Sequence, residues 1–282
     1  MAKDSPITWT DSTFNAWWGC FKISPGCKHC YADAFDHRLG GDHWGEKAPR
    51  RFFGDKHWNE PLKWSAAAID AGIRRRVFCS SMSDVFEDRR DLDPHRERLW
   101  KLIDATAGGL DWLLLTKRPD AMRRLWPWTT PPANVWAGTT IESADYAWRA
   151  DKLRAVPAAV RFVSYEPALG PVDGIDLTAI DWIVCGDEDG QKRRPADPSW
   201  FRSLRDRCER DGVAFHMKQW AGADAPGITG ARGGKSGTGK IHLPVLDGRV
   251  HAAFPEEGRR RGRRGRAGEE EGGQGAKKGG RK

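Results

Sequence analysis

Six short apolar segments, separated by stretches with helical spacing, constrain the fold of this chain more than any other feature. They are rich in Val, Ile, Phe and Trp and lie at residues 77–79, 112–115, 135–137, 160–163, 182–185 and 213–215. Between them, apolar residues at helical spacing predict helices over 94–107 and 198–210, with Asp93 and Asp197 as N-caps before a proline. Repeated strand–helix alternation predicts an α/β protein with a parallel sheet covered by helices. A further short strand near residues 14–18 would open the array.

Each predicted strand is followed by small, polar or charged residues. The strand ends carry hydroxyls, carboxylates and two lysines, Lys117 and Lys218, in the loops at 80–84, 116–119, 138–142, 164–167, 186–190 and 216–220. Parallel strands end at the same edge of a sheet, and binding sites of α/β proteins form at that edge. Any one of these side chains could instead cap a helix. The repetition over six strands favours a shared site at the carboxyl edge.

Length and composition indicate a packed soluble protein. The chain has 282 residues, of which 39% are hydrophobic and 30% are charged. It contains no apolar run near the roughly 18 residues of a membrane span and no secretory signal at Met1. Six cysteines are too sparse for a disulfide scaffold, so we expect a cytoplasmic protein without a membrane partner, in which clustered cysteines indicate a metal.

The positive charge of the chain is concentrated at its C-terminal end. Residues 258–282 hold ten Lys and Arg and three Glu, against a net charge of +8 for the whole chain. This tail has no apolar residue larger than Ala, so we expect it to be disordered, acting as a phosphate tether or as a solubilising terminus. The predicted organisation is an α/β domain at 1–222, an irregular C-terminal extension at 223–257 and the basic tail at 258–282.

The sharpest local signal is a cluster of three cysteines, Cys20, Cys27 and Cys30, with the spacing C-x6-C-x2-C. A turn at residues 25–26, Pro followed by Gly, can fold the first cysteine back onto the other two. Three thiolates suit an iron–sulfur cluster with one vacant iron, or a zinc site completed by a fourth ligand such as His29. They could also be structural thiols. The other three cysteines read as small core residues and are Cys79, Cys185 and Cys208.

The cysteine cluster and the array behind it resemble the radical S-adenosylmethionine (SAM) superfamily, although the first gap is longer than its usual C-x3-C-x2-C. More specifically, the chain resembles the phage-associated three-Cys-motif radical-SAM-like family. The matching segments occur in order at residues 7–10, 19–20, 24–32, 83–86, 114–119, 138–142, 164–171 and 215–220. One departure is the loop at 185–190, which reads Cys-Gly-Asp-Glu-Asp-Gly where the family commonly has Gly-Gly-Glu-Ser-Gly.

The resemblance implies a partial (β/α)6 TIM-like barrel that uses a 4Fe–4S cluster and S-adenosylmethionine. Cys20, Cys27 and Cys30 would each bind one iron, and the fourth iron would take the amino and carboxylate groups of SAM. One electron from an external donor would then give methionine and a 5′-deoxyadenosyl radical. Around SAM, the strand order suggests contacts to the methionine ammonium, the ribose and the adenine from Ser81, Ser83, Asp84, Thr139, Glu142 and Tyr31.

The substrate is indicated less directly. The chain has 15 Trp, and Trp17, Trp18 and Trp44 lie near the cysteines together with Arg50, Arg51 and His57, a combination suited to base stacking and phosphate contacts. The phage-like resemblance implies modification of DNA bases, for example an isomerase-type rearrangement of an amino-acid-decorated thymine. Polar or acid–base groups in such a pocket would be Glu166, Lys117 and Lys218. Two alternatives are a radical SAM enzyme on a small molecule or peptide, and a non-catalytic zinc- or cluster-stabilised binding module.

Overall fold

The computed structural model describes residues 3–190, 192–222, 224–230, 234–235 and 241–255. The expected basic tail at 258–282 lies outside the described residues, as do residues 236–240 of the extension. No helix in the described part of the chain combines the length and the apolar character needed to cross a membrane.

A curled sheet of seven parallel strands forms the centre of the protein, and neighbours in the sheet are neighbours in the sequence. The strands are β1 (Ser12–Thr13), β2 (Arg75–Cys79), β3 (Leu110–Thr116), β4 (Val135–Thr140), β5 (Val160–Tyr165), β6 (Trp182–Gly186) and β7 (Ala214–Gln219). The predicted α/β half-barrel is therefore confirmed. All six apolar segments are strands, and most run on into the polar residues that follow them.

In the described part of the chain, seven α-helices accompany the sheet: α1 (Tyr31–Arg38), α2 (Asp55–Trp58), α3 (Glu60–Asp70), α4 (Asp93–Ala105), α5 (Pro119–Leu125), α6 (Trp148–Arg154) and α7 (Pro198–Asp211). Both helices predicted from spacing are present as α4 and α7. Asp197 caps α7 as expected, because its Oδ1 accepts a hydrogen bond from the Ser199 amide at 2.8 Å. The expected cap at Asp93 is wrong, since Asp93 is already the first residue of α4 and makes no capping bond.

The opening strand differs from its expected position. β1 ends at Thr13, and Trp17–Trp18 instead pairs antiparallel with Arg51–Phe52. The chain leaves the sheet at Asn15, whose side chain accepts from the Met82 amide at 2.7 Å and donates to Ser81 Oγ at 3.1 Å. These bonds use polar groups that a continuous strand would leave unpaired, so the strand stops before Asn15.

Alternate residues of the strands fill two separate cores. Phe78, Leu113, Phe162 and Trp182 pack on the concave face, while their neighbours, such as Val77 and Leu114, pack against the helices. Gly138 in β4 is required by this packing, because a Cβ there would overlap the ring of Phe162. A fully buried sheet with helices on one face leaves its carboxyl edge free for polar side chains.

The segment after β7 covers the outer edge of the sheet. Residues 228–229, 245–246 and 249–250 form a small antiparallel sheet, and the chain then returns along β7, with the Met217 amide bonded to the His251 carbonyl at 2.9 Å. Trp182 Nε1 donates to the Ala253 carbonyl at 2.9 Å, and Phe254 lies against the Trp182 ring. This segment pairs with a strand that would otherwise present an open edge.

Candidate active site

The loop that carries the cysteines is joined to the carboxyl edge of the sheet from its first residue. Gly19 forms a bridge with Ser83, and its amide donates to the Met82 carbonyl at 3.0 Å. Gly19 has a φ of +112°, and a Cβ there would collide with the His43 carbonyl. Only glycine satisfies both requirements, so this position directs Cys20 toward the ends of β2 and β3.

All three motif cysteines are free thiols and partly exposed, whereas Cys79, Cys185 and Cys208 are buried core residues, as expected. The predicted turn is present as a short 3-10 helix, Pro25–Cys27, closed by the Cys27 amide on the Ser24 carbonyl at 2.9 Å. Cys30 directly precedes α1. Within the described ranges, no group of three or more His, Cys, Asp or Glu side chains is arranged so that it could hold a metal ion.

Arg118, which follows β3, links the first cysteine to the sheet. Its Nη1 lies 3.7 Å from Cys20 Sγ and 2.8 Å from Asp84 Oδ2, and its Nη2 donates to the Phe21 carbonyl at 3.0 Å. Asp84 also accepts from Thr116 Oγ1 at 2.7 Å. Burial raises the pKa of the Cys20 thiol to about 12, and the positive charge of Arg118 opposes this rise. A buried carboxylate and a buried guanidinium thus lead to the partly exposed thiol of Cys20.

Glu142, after β4, supports the middle of the cysteine loop. It is buried, its Oε2 accepts from Arg149 Nη1 at 2.8 Å, and its Oε1 accepts from Ser24 Oγ. Gly26 passes so close that a Cβ there would lie 2.5 Å from Glu142 Oε1. Thr139 is also buried and donates to the Thr116 carbonyl at 3.0 Å. Both side chains expected at a ribose are therefore already bonded to protein groups.

The residues expected near the methionine and adenine ends of SAM lie together beside Cys30. Tyr31 is 63% exposed, and its hydroxyl donates to the Ser81 carbonyl at 2.8 Å. The Ser81 hydroxyl is bonded to Asn15. Ser83 Oγ is buried without a hydrogen-bond partner among the described residues. An orphaned buried hydroxyl is uncommon, so Ser83 is the member of this group most available to a ligand.

Glu166 and Lys218 form an ion pair across the ends of β5 and β7, each about one-fifth exposed. The sequence predicted both residues for the same pocket, and the structure brings them into contact. Lys117 lies apart from this pair, after β3, and its backbone amide is 3.3 Å from Asp84 Oδ2. Its side chain is half-buried, and no ion pair joins it to a described residue.

The loop after β6, where the sequence departs from the family it resembles, also holds the cysteine loop. Glu188 contacts His29 Nδ1 at 3.3 Å and accepts from Arg194 Nε at 2.8 Å. Arg194 Nη2 in turn donates to the Pro25 carbonyl at 3.1 Å. Asp187 accepts from the amides of Ala221 and Gly222 at 2.8 and 3.0 Å. His29 is thus engaged with a carboxylate of the loop after β6.

Several aromatic and basic residues expected to meet nucleic acid are instead structural. Trp17 is fully buried, and Arg50 is a buried ion-pair partner of Glu87 that also donates to three carbonyls of the segment 43–48. His57 bonds the Asn15 carbonyl at 2.7 Å, and burial lowers its pKa. Trp17 is buried in the core, and Arg50 and His57 bond to backbone carbonyls of nearby segments. Amino-acid composition alone does not indicate these structural roles.

An aromatic–cation ladder remains at the surface beside the cysteine loop; we use this name for Arg38, Phe35, Trp18, Arg51 and Phe53. The Arg38 guanidinium lies 5.4 Å from the Phe35 ring, and the Arg51 guanidinium lies 4.9 Å from Trp18 and 5.6 Å from Phe53. The rings of Trp18 and Phe35 are 6.0 Å apart. Arg38, Phe35 and Arg51 are exposed. Of this set, the sequence indicated only Trp18 and Arg51.

Sequence reasoning missed three residues that organise the site: Arg118, Arg194 and Asn15. Arg118 lies in a segment that the sequence analysis singled out, residues 114–119, but nothing in that segment showed what its guanidinium would contact. Arg194 and Asn15 stand in loops without a distinctive pattern. Their partners are 169 and 66 residues away along the chain, at Pro25 and Ser81.

A family model described as "Protein of unknown function (DUF5131)" matches residues 4–255. No match was found among curated proteins. Among solved structures, the chain is similar to spore photoproduct lyase complexed with dinucleoside spore photoproduct, with 13% identity over 93% of this chain and 74% of that one, and a TM-score of 0.42. A double mutant of the lyase with bound AdoMet and dinucleoside spore photoproduct is 14% identical over 94% of this chain and 74% of that one, with a TM-score of 0.41.

Proposed function

The chain belongs to the family described as proteins of unknown function (DUF5131), and we propose that it is a radical SAM enzyme that modifies a base in DNA or a nucleotide. Cys20, Cys27 and Cys30 would bind a 4Fe–4S cluster. One observation carries the proposal: the cysteine loop is bonded to residues that follow four different strands, namely Ser83, Arg118, Glu142 and Glu188. A reactive group on this loop would therefore stand over the carboxyl edge, where α/β proteins bind ligands.

The chemistry of the donor set fits an iron–sulfur cluster. Three free thiols in one loop match the thiolate ligands that such clusters use, and His29, the imidazole inside the motif, is engaged with Glu188. When bound, the cluster and SAM, given one electron by an external donor, would supply methionine and a 5′-deoxyadenosyl radical that removes a hydrogen atom from the substrate. The residues of this chain would bind, orient and enclose that chemistry.

The contacts at the strand ends divide the SAM-binding candidates into two groups. Asp84, Thr139 and Glu142 are buried and hydrogen-bonded to the protein. The contacts of Asp84 and Glu142 support a role in holding Arg118 and the cysteine loop in place, and Thr139 is bonded to the Thr116 carbonyl. Ser83, whose hydroxyl has no partner among the residues that the structure describes, and Tyr31, whose ring is exposed next to Cys30, are better placed to contact SAM directly. Ser81 would contribute through its backbone, since its carbonyl fixes the Tyr31 hydroxyl.

The Glu166–Lys218 pair supports a polar contact to the substrate. The two groups are partly exposed at the carboxyl edge, so a substrate can exchange hydrogen bonds with either one. Lys117 carries an ammonium group at the same edge without an ion-pair partner in the described part of the chain. These three groups could bind a base edge or move a proton to or from it.

The aromatic–cation ladder supports nucleic acid as the substrate class. The exposed Phe35 ring and the half-buried rings of Trp18 and Phe53 offer stacking platforms for bases. The exposed guanidinium groups of Arg38 and Arg51 beside them can meet phosphates, and proteins bind single strands through this combination. The ladder lies next to the cysteine loop, because Trp18 immediately precedes Gly19 and Cys20. An isomerase acting on an amino-acid-modified thymine in phage DNA is the specific reaction that we propose for testing.

The deciding experiment is anaerobic reconstitution of the chain with iron and sulfide, followed by dithionite and SAM. We expect about four irons per chain and formation of 5′-deoxyadenosine, with both lost in Cys27→Ala. Cys208→Ala is the matched control, because Cys208 is a buried thiol in α7 outside the motif. A colourless protein that holds one zinc would contradict the proposal and favour a binding module. Iron and SAM cleavage without any effect on oligonucleotides would favour a small-molecule or peptide substrate.

A further inference from the structure

We propose that Arg118 is a positioning residue that holds Cys20 and raises the reduction potential of the metal group bound there. This inference rests on the proposed function, since it requires a redox-active cluster on the cysteine loop. The feature behind it is the contact between a guanidinium and one of the three motif sulfurs: Arg118 Nη1 lies 3.7 Å from Cys20 Sγ. Hydrogen bonds to the sulfurs are among the factors that set the potential of iron–sulfur clusters.

The guanidinium of Arg118 is held from every side. Nη1 donates to Asp84 Oδ2 at 2.8 Å, Nη2 donates to the Phe21 carbonyl at 3.0 Å, and the group lies 4.4 Å from the centre of the Phe21 ring. Arg118 is 8% exposed. A planar fork with several fixed donors loses little freedom when it forms another bond, which a flexible lysine ammonium cannot reproduce. The geometry at Cys20 is therefore built before any metal binds.

The three motif cysteines are not equivalent in this respect. The contact of Cys27 is with the neutral hydroxyl of Ser24, at 3.7 Å from Oγ to Sγ. Lys22, whose charge acts on Cys27 and Cys30 from a distance, directs its Nζ to Asp33 at 2.8 Å. Among the described residues, Cys20 is the motif cysteine whose sulfur meets a guanidinium donor. One corner of a cluster would thus receive a charge-assisted contact while the others would not.

The sign of the effect follows from electrostatics. Reduction adds negative charge to the cluster, so a nearby fixed cation stabilises the reduced form more than the oxidised form and raises the potential. Asp84, the buried partner of Arg118, acts in the opposite sense because its carboxylate repels the added electron. The low dielectric of a buried site makes both contributions larger than they would be in water. If Arg118 had only a structural role, replacing Arg118 and replacing Asp84 would not be expected to change the reduction potential in opposite directions.

The test measures potentials, not only activity. Wild-type protein and the variants R118Q, R118K and D84N are reconstituted with iron and sulfide, their iron content is determined, and each is titrated with a reductant while the reduced cluster is followed by electron paramagnetic resonance. We expect the potential to fall in R118Q, to fall less in R118K, and to rise in D84N. The matched control is R124Q. It removes an exposed arginine of α5 that pairs with Asp88, and we expect it to leave the potential unchanged.

Two results would overturn the inference. One is an R118Q protein with wild-type iron content and an unchanged potential. The other is a change of the reduction potential in the same direction in R118K and D84N. This second comparison keeps the test decisive even if R118Q fails to retain iron. A wild-type chain that takes up no iron at all contradicts the proposed function itself, and the two failures are therefore distinguishable.

Discussion

Ser24, in the cysteine loop, donates a hydrogen bond to Glu142, which follows β4. The two residues are 118 positions apart along the chain. Glu142 also receives the guanidinium of Arg149, and the Arg149 and Glu142 side chains are 2% and 1% exposed. The carboxylate of this buried ion pair thus also accepts from the Ser24 hydroxyl, and this bond fixes the loop next to Cys27. This connection explains how a segment without long helices or strands is held against the sheet.

Removing Glu142 should destabilise the fold. Glu142→Ala leaves the buried guanidinium of Arg149 without its carboxylate, and breaking one partner of a buried pair costs about 3–5 kcal/mol. Urea denaturation of the metal-free protein measures this free energy of unfolding. Asp151→Ala is the control, because Asp151 pairs with Arg154 at the surface, where a pair contributes about 0–1 kcal/mol. Equal losses in the two variants would contradict a supporting role for Glu142.

Adding one methyl group at Gly26 should weaken metal binding. In Gly26→Ala the new Cβ would lie 2.5 Å from Glu142 Oε1, so the loop must move away from the carboxylate that Ser24 contacts. Changes to the groups that orient metal ligands typically lower affinity about 10- to 100-fold. Iron retention under competition with a chelator measures the loss. Gly174→Ala is the control, since a Cβ at Gly174 meets no atom within 4 Å; if both variants lose iron alike, the steric argument is wrong.

The stability of the protein should decrease as the pH falls from about 6.5 toward 3. Burial lowers the pKa of His216 from 6.5 to about 3, with Arg76 and Lys218 adding to the effect, and Thr8 Oγ1 lies 3.2 Å from its Nε2. In that interval the unfolded chain binds a proton that the folded chain excludes, so His216 contributes a slope of about 1.4 kcal/mol per pH unit. Urea titrations at several pH values should show a correspondingly smaller slope for His216→Gln. Identical slopes in the two proteins would remove His216 as the cause.

Shortening Arg51 should weaken binding of single-stranded DNA. Arg51→Ala removes one cation of the aromatic–cation ladder, so the affinity should fall and the dependence of log K on log salt should lose about 0.7 in slope. Fluorescence anisotropy of a labelled oligonucleotide at several salt concentrations measures both quantities. Arg210→Ala, at an exposed arginine of α7, is the control for lost charge. If the two variants behave alike, the ladder is not the binding surface, and a protein electron donor becomes the better occupant to test.

Much of the fold could be predicted because its signals are local. Apolar segments such as residues 112–115 and 182–185 are long enough to require burial, and the polar residues after them mark where each strand ends. The predictions that were wrong concern element ends, which are set by individual contacts in the folded protein. Asn15 ends β1 early by bonding to the chain after β2, and Asp93 enters α4 rather than capping it.

The predicted site residues do lie at the carboxyl edge, but their availability could not be read from the sequence. Asp84, Thr139 and Glu142 have the right chemistry for a ligand and are already bonded to Arg118, to the Thr116 carbonyl and to Arg149. Ser83 has the same chemistry and no partner among the described residues. Side-chain type gives the capacity to form hydrogen bonds, whereas the partners that satisfy it come from elsewhere in the chain.

Local sequence patterns were sufficient to predict the parallel α/β architecture, the edge at which polar side chains collect, and the three cysteines that precede it. Periodicity, burial and motif spacing are properties of neighbouring residues, so they survive without knowledge of the fold. The tertiary structure decided which polar groups are already satisfied, which aromatic rings remain exposed, and that Arg118 meets Cys20 across 98 positions of the chain. Those outcomes depend on contacts between distant segments, because a buried polar group takes whichever partner the packing brings within reach.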